Sequence, residues 1–211
     1  MRVSESTTRN ILAATTLAWL FTGCATSEAP APVQTESSVE IQQDVGFTIT
    51  EDVAVEADVR LDYDQAVRYL QQGRHDEGIA VLEAVAAAAP RLSAPLIDLG
   101  IAHHRNDDLE AAEKYLRQAI ELNPNHPTAH NELGIVYRKT GRFAEARQSY
   151  EAALAIYPGY HFARRNLAVL CDLYLADLQC ALDHYEAYMT TVPVDKEAEM
   201  WIADIRARLA Q

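Results

Sequence analysis

The feature that most constrains this chain is a self-similarity that returns every 34 residues. Three consecutive segments, residues 59–92, 93–126 and 127–160, align without a gap. Five places of the alignment keep a similar residue in each segment: Ala66, Gly100 and Gly134; Gly78, Ala112 and Ala146; Leu82, Leu116 and Tyr150; Val85, Ala119 and Ala153; Pro90, Pro124 and Pro158. One unit of this size cannot bury its own apolar face, so units with such a period stack into a continuous array.

The residue types within one unit predict two antiparallel helices. Small residues at the eighth and twentieth places let two helices approach closely, and a large apolar residue at the twenty-fourth place fills the space beside them. Proline at the thirty-second place ends the second helix, because it cannot continue the hydrogen-bond ladder. Gly73, the run Asn106 to Asp108, and Gly141 separate the two helical patterns and are typical of turns.

The third segment resembles the tetratricopeptide repeat, a helix–turn–helix unit of 34 residues. The residues at matching positions are Leu133, Gly134, Tyr137, Gly141, Ala146, Tyr150, Ala153 and Pro158. The resemblance implies an all-α solenoid of about four repeats, over residues 59–92, 93–126, 127–160 and 161–194. The fourth is atypical, since one extra residue near Leu175 delays its later positions by one.

A capping helix is predicted over residues 195–211. Asp195 is a suitable N-cap, and one apolar stripe follows at helical spacing: Trp201, Ile202, Ile205 and Leu209. A single apolar stripe on an otherwise polar helix suits the closing element of a solenoid.

The first 23 residues have the pattern of a secretory signal peptide. A basic start is followed by an apolar run from Ile11 to Phe21, which is too short to cross a bilayer comfortably. The junction Leu-Phe-Thr-Gly-Cys resembles the lipobox of bacterial lipoproteins, with Phe21 in place of the usual Leu. The resemblance implies that the sulfur of Cys24 carries a lipid and that the protein lies in the cell envelope. Ala25 after the cysteine implies the outer membrane, facing the periplasm.

Residues 24–58 are predicted to be an acidic, flexible tether, because residues 25–58 carry eight carboxylates and no Lys or Arg. Proline, serine and glutamate dominate its first half, up to about Gln43. Residues 45–55 alternate apolar and polar side chains, which leaves open a short strand or a segment that docks on the helices.

The two remaining cysteines, Cys171 and Cys180, flank the turn of the fourth repeat at equal distances. Residues equidistant from a hairpin turn lie opposite each other on antiparallel helices. In an oxidising compartment they are predicted to form a disulfide. The alternative is a pair of small buried thiols, which are common in helical cores.

The first helices of tetratricopeptide repeats line a concave face, and the resemblance carries this role to particular positions here. The partner-binding groove is predicted to contain Tyr63, Val67, Ile97, Ile101, His104, Arg105, Asn131, Ile135, Arg138, Lys139, Phe162, Arg165 and Val169. This set is apolar with a basic end, which suits an extended or helical peptide with apolar anchors and some acidic character. The basic end is equally compatible with cations gathered at helix ends for dipole and surface reasons. The carboxylate-clamp pattern of chaperone-binding repeats is absent, since Tyr63, Val67 and Asp98 occupy its positions.

The sequence carries no pattern for catalysis, a cofactor or a metal. His126 and His130 are four residues apart, but no third ligand joins them at suitable spacing. The net charge of −13 argues against nucleic-acid binding, which requires a basic face. No small-molecule substrate is indicated either.

These observations predict a non-catalytic, lipid-anchored adaptor that binds a protein or peptide. It would scaffold a secretion, pilus, motility, wall-synthesis or energy-transducing complex at the envelope. An accessory regulator of an envelope enzyme, such as a peptidoglycan hydrolase, is the alternative. An enzyme in its own right is the least favoured reading.

Overall fold

The fold is described by a computed structural model that covers residues 37–42 and 46–211. Two short strands are followed by a series of helices. The elements are β1 (Ser37–Gln42), β2 (Gly46–Glu51), α1 (Ala57–Gln71), α2 (His75–Ala88), α3 (Ala94–Arg105), α4 (Leu109–Leu122), α5 (Pro127–Lys139), α6 (Phe143–Ile156), α7 (His161–Leu173), α8 (Leu178–Thr191) and α9 (Lys196–Leu209). Helices α1 to α8 pack as four consecutive pairs, and each pair packs on the next.

The turn inside each pair contains one residue with left-handed backbone geometry. Gly73 and Gly141 have φ angles of 75° and 76°, and Asp107 takes the same place with φ 62°. Glycine adopts this region without strain, and Asp is among the few other residues that tolerate it. These three positions are one repeat apart, whereas the fourth turn uses Ala176, one residue later than the period requires. The extra residue of the fourth repeat therefore lies before Ala176.

Small residues bring the two helices of a pair into close contact. A Cβ atom added to Gly100 would lie 2.5 Å from Cγ of Leu116, and one added to Gly134 would lie 2.5 Å from Cε1 of Tyr150. Leu116 and Tyr150 are fully buried. In these two repeats the large residue at the twenty-fourth place therefore packs directly on the small residue at the eighth place.

The array has a definite inner side. The first helices of neighbouring pairs contact one another, α3 with α5 and α5 with α7, whereas no two second helices of the described region pack to a comparable extent. The first helices are therefore closer together, and the array curves toward them. This inner surface is the concave face.

Helix α9 closes the array by packing on α8. Asp195 is its N-cap and accepts hydrogen bonds from the backbone N–H groups of Glu197 and Ala198. Ile205 is fully buried and the ring of Trp201 lies 5.3 Å from that of Tyr185. No helix in the described part of the chain is long and apolar enough to cross a membrane.

A β-hairpin precedes the first helix, so the prediction of a flexible tether is wrong for Ser37–Gln42, and the short strand left open within residues 45–55 is present as Gly46–Glu51. Strands β1 and β2 pair antiparallel, with Val39 opposite Ile49. Phe47, Ile49 and Glu51 are partly buried, whereas Thr48 and Thr50 between them are exposed. The alternation within residues 45–55 thus marks a strand that packs one face on the helices. Strand β1 was assigned to the tether because the acidic and proline-rich sequence around it is typical of solvated chain.

The hairpin crosses the loops that join one repeat to the next. The carboxylate of Glu51 accepts hydrogen bonds from the backbone N–H of Ser93 at 3.0 Å, from the Ser93 hydroxyl, and from the side-chain amide of Asn123 at 3.0 Å. Ser93 is the N-cap of α3, so the carboxylate also faces the positive end of that helix dipole. Farther along β2, the Phe47 ring contacts those of Tyr157 and Tyr160, with centroids 5.3 and 5.4 Å apart. One strand therefore connects repeats that are distant in sequence.

A disulfide joins Cys171 on α7 to Cys180 on α8, with Cα atoms 5.9 Å apart. Cys171 is fully buried, and Cys180 lies in the first turn of α8 beside Arg147. The bond closes the turn that carries the extra residue. Residues 1–36, which include the predicted signal peptide and Cys24, lie outside the described part of the chain.

Replacing Glu51 by Gln should loosen the hairpin, because an amide cannot accept all three hydrogen bonds and no longer carries the charge that faces α3. We expect a loss of about 1–3 kcal/mol in the free energy of unfolding. Cleavage between residues 37 and 56 in limited proteolysis should also be faster. Glu40→Gln on the exposed side of β1 removes the same charge and serves as the matched control. Equal effects of the two substitutions would contradict the role of Glu51.

Thiol titration of the purified mature protein, denatured but unreduced, should detect neither Cys171 nor Cys180. Treatment with a reductant should reveal both. In the chain-entropy model a loop of this length contributes on the order of 2–3 kcal/mol, so reduction should lower the melting temperature. Two reactive thiols before reduction would show that the cysteines are simply buried in the core.

Candidate functional site

The concave face carries a straight row of aliphatic side chains. Val67, Ile101, Ile135 and Val169 occupy the same place in four successive repeats, 34 residues apart. Each is partly exposed, on α1, α3, α5 and α7 respectively. We call this row the groove floor. It is a partly exposed apolar surface to which each of the four repeats contributes one side chain.

Two of the predicted groove residues do not face the groove. Ile97 and Asn131, one repeat apart, are only 4% and 2% exposed. Asn131 accepts a hydrogen bond from the side-chain amide of Asn166 at 2.9 Å and donates one to Glu132 at 3.1 Å. Their shared position faces the neighbouring first helix, so close stacking removes them from solvent. Asn131 links α5 to α7, and neither residue offers an exposed surface to a partner.

Two further predicted residues serve other parts of the fold. Phe162 is 57% exposed, but it lies at the start of α7 and lines a cleft of about 600 Å³ beside the hairpin. Arg165 stacks its guanidinium 5.1 Å from the Trp201 ring and ion-pairs with Glu197 at 3.8 Å. Arg165 therefore fixes the capping helix and is not a free cation of the groove.

The remaining basic residues form one cluster at the ends of α3 and α5. We call His104, Arg105, Arg138 and Lys139 the basic lip. Burial and the three neighbouring cations hold the pKa of His104 below its usual value. Lys139 ion-pairs with Asp107 at 3.1 Å, and the Arg138 guanidinium lies 5.7 Å from the Tyr174 ring. The lip borders the groove floor on the side of the turns inside each repeat.

Carboxylates on the same face were missed by the sequence prediction. Burial raises the pKa of Asp98 and of Glu132, while Arg105 lies close enough to counteract that rise. Tyr63 donates a hydrogen bond to Asp98 at 2.6 Å, and this carboxylate and burial raise the pKa of the Tyr63 phenol. A sequence signal for these carboxylates exists, because the sixth place of every repeat holds an acidic or amide side chain. The four residues at this place are Asp64, Asp98, Glu132 and Asn166.

The histidine pair weighed as metal ligands serves structural roles. His130 Nε2 lies 2.8 Å from the carbonyl oxygen of Pro124, and burial lowers the pKa of His126 to about 4. Glu51 on the hairpin counteracts the fall in the pKa of His126. Across residues 37–42 and 46–211, no group of three or more His, Cys, Asp or Glu side chains is arranged to hold a metal ion.

The fold is a solenoid of helix–turn–helix repeats whose first helices line its concave face. Residues 63–112 and 97–161 match the family model of the tetratricopeptide repeat. Residues 63–161 therefore carry tetratricopeptide repeats, and the predicted all-α solenoid is confirmed for the described helices.

Known proteins with similar repeats differ widely. The chain is 28% identical over 107 residues to the protein O-mannosyl-transferase F38B6.6 of Caenorhabditis elegans, covering 51% of this chain and 14% of that protein. It is 35% identical over 86 residues to the peroxisomal targeting signal receptor of Kluyveromyces lactis, covering 40% of this chain and 15% of the receptor. The solved structure of MamA from Desulfovibrio magneticus RS-1, residues 41 to the end, is 22% identical with a TM-score of 0.66. That match covers 74% of this chain and 88% of the MamA chain. The chain thus spans only a small part of these curated relatives, and the likeness to MamA is one of fold.

Proposed function

We propose that this protein is a non-catalytic adaptor, anchored through a lipid on Cys24, that binds a peptide or protein partner on its concave face. The partner-bound protein would scaffold an envelope-associated complex. The observation that carries this proposal is the groove floor, in which four aliphatic side chains from Val67 to Val169 remain partly exposed, one in each repeat. Proteins with tetratricopeptide repeats commonly mediate protein–protein interactions as adaptors.

The spacing of the floor suits an elongated ligand. Packed helices lie ~8–10 Å apart, so neighbouring floor residues recur at about that distance. A peptide in a polyproline-II-like conformation advances ~3.1 Å per residue with three residues per turn, so one face returns every ~9 Å. An apolar side chain at about every third position would therefore meet one floor residue in each repeat.

The polar groups of this face also favour binding over catalysis. Asp98 and Glu132 are held by hydrogen bonds from Tyr63 and Asn131, respectively. Such contacts fix a carboxylate in place and are typical of structural groups. The matched mannosyltransferase is an enzyme by name, but the similarity covers only 14% of it. The matched receptor, by its name, recognises a targeting signal.

Changing Ile101 and Ile135 together to Thr should weaken partner capture about tenfold or more. Each substitution replaces an apolar contact by a hydroxyl while keeping a branched side chain, and burial of such a side chain contributes ~1.5–3 kcal/mol. Proteins crosslinked to the chain in membranes would be compared by mass spectrometry. The matched control is Ile120→Thr with Ile156→Thr, two partly buried residues on second helices. Unchanged capture by the floor variant, with an intact helical spectrum, would contradict binding on this face.

Replacing Cys24 by Ser should release the protein from membranes. Alkaline washing should leave the unaltered protein in the membrane fraction and extract the variant, because acyl chains contribute ~0.8 kcal/mol per buried CH2. Mass spectrometry of the N-terminal peptide would identify the lipid directly. Retention of the variant in washed membranes would refute anchoring through Cys24.

A further inference from the structure

We propose that the basic lip, together with Leu173 and Tyr174 at the adjoining turn, binds an acidic segment of the partner that carries a neighbouring apolar side chain. This inference rests on the proposed function, because it assigns a chemistry to one end of the same ligand. It concerns the border of the groove at the ends of α3, α5 and α7, not its floor.

Charge is the first argument. Arg142, Arg147 and Arg208 each have a carboxylate oxygen within 4.0 Å. In the described part of the chain, Arg105 and Arg138 have no such ion pair, and Asp107 offsets only Lys139. The lip thus gathers three cations, of which only Lys139 has a carboxylate oxygen of the described residues within 4.0 Å, in a protein whose net charge is −13.

The state of Arg138 is the second argument. Its Nη1 atom lies 3.4 Å from the hydroxyl of Tyr174, and its Nε atom is buried, so a ligand carboxylate would have to bind the two Nη atoms at the outer end of the guanidinium. Guanidinium groups bind carboxylates most strongly through two parallel hydrogen bonds. The neighbouring cations Lys139 and Arg105 would add to the attraction of a second carboxylate on the same segment.

The apolar part of the subsite comes from the fourth repeat. Leu173 is 67% and Tyr174 is 42% exposed, although both are large and apolar. The Tyr174 ring lies 5.0 Å from that of Phe143 and also contacts Arg138. An apolar side chain placed against Leu173 and Tyr174 would therefore lie beside the cations, within the same short segment of ligand.

The carboxylates of the face determine where the acidic group would bind. Asp98 and Glu132 attract Arg105 from the inner side and would repel a carboxylate that approached them. An acidic ligand is therefore directed to the outer side of the lip, toward Arg138 and Lys139. There it competes with Asp107, which is exposed and pairs with Lys139 at the surface. Nucleic acid fits less well, because its regular phosphates would extend over the acidic surface around the lip.

The test uses three labelled peptides of about ten residues, studied with the unaltered mature protein by fluorescence anisotropy. The first contains leucines followed by glutamates, the second has Gln for each Glu, and the third has Ser for each Leu. We expect the first to bind at least about tenfold more tightly than either analogue. The difference between the Glu and Gln peptides should shrink as the salt is raised from about 50 to 300 mM.

The lip variant is Arg105→Gln with Lys139→Gln, two exposed residues whose loss leaves the core intact. It should bind the acidic peptide at least about fivefold more weakly. Arg138→Gln should act in the same direction, and its folding would be checked by circular dichroism. The matched control is Arg117→Gln with Arg206→Gln, exposed cations on α4 and α9 that should leave the affinity unchanged.

Several outcomes would overturn the inference: no binding of the acidic peptide at about 1 mM, equal binding of its Gln analogue, or equal loss in the lip and control variants. If a labelled single-stranded oligonucleotide bound more tightly than the acidic peptide, and if its binding depended on the same lip residues, the lip would be a nucleic-acid site instead of a peptide site. These outcomes are distinct from failure of the groove itself. If the Ile101 and Ile135 variant loses partner capture while peptide charge has no effect, the adaptor proposal stands and the acidic subsite does not.

Discussion

The helical architecture depends on how closely the two helices of one repeat approach each other. At Gly100 and Gly134 even one methyl group would collide with a fully buried Leu116 or Tyr150. Because the same small-against-large contact recurs at a constant interval, successive repeats stack in the same way. Because every repeat stacks in the same way, the residues at the ninth place of each repeat lie on the same face and form the groove floor. A functional surface thus arises from a packing rule that involves none of the residues on that surface.

Repetition is also the reason why so much of the fold could be predicted. The period of 34, the small residues and the prolines predicted paired helices, and the fourth pair with its extra residue follows the same scheme. The floor residues Val67, Ile101, Ile135 and Val169 came from position alone. Position could not show which neighbours would cover a side chain. Ile97 and Asn131 are buried by the adjacent repeat, and Arg165 is occupied by Trp201 of the capping helix.

The first strand of the hairpin and its pairing with the second were missed for a different reason. The stability of the hairpin derives from contacts with loops far along the chain, such as those of Glu51 with Ser93 and Asn123. Local composition contains no information about such partners, and a two-stranded hairpin is marginal without them. The carboxylates Asp98 and Glu132 illustrate the same limit. Their types are visible in the repeat, but their burial and altered pKa values depend on how α3 and α5 pack.

Docking of the hairpin shortens the segment of chain that would connect the proposed lipid anchor to the solenoid. If α1 were the first ordered element, the 32 residues from 25 to 56 would separate it from Cys24, a reach of up to ~110 Å when fully extended. Because the chain is already fixed from Ser37, only residues 25–36 intervene, and their reach is at most ~40 Å. The groove would then stay within a short distance of the membrane surface. Confinement of this kind raises the local concentration of the groove for partners embedded in or attached to the same membrane.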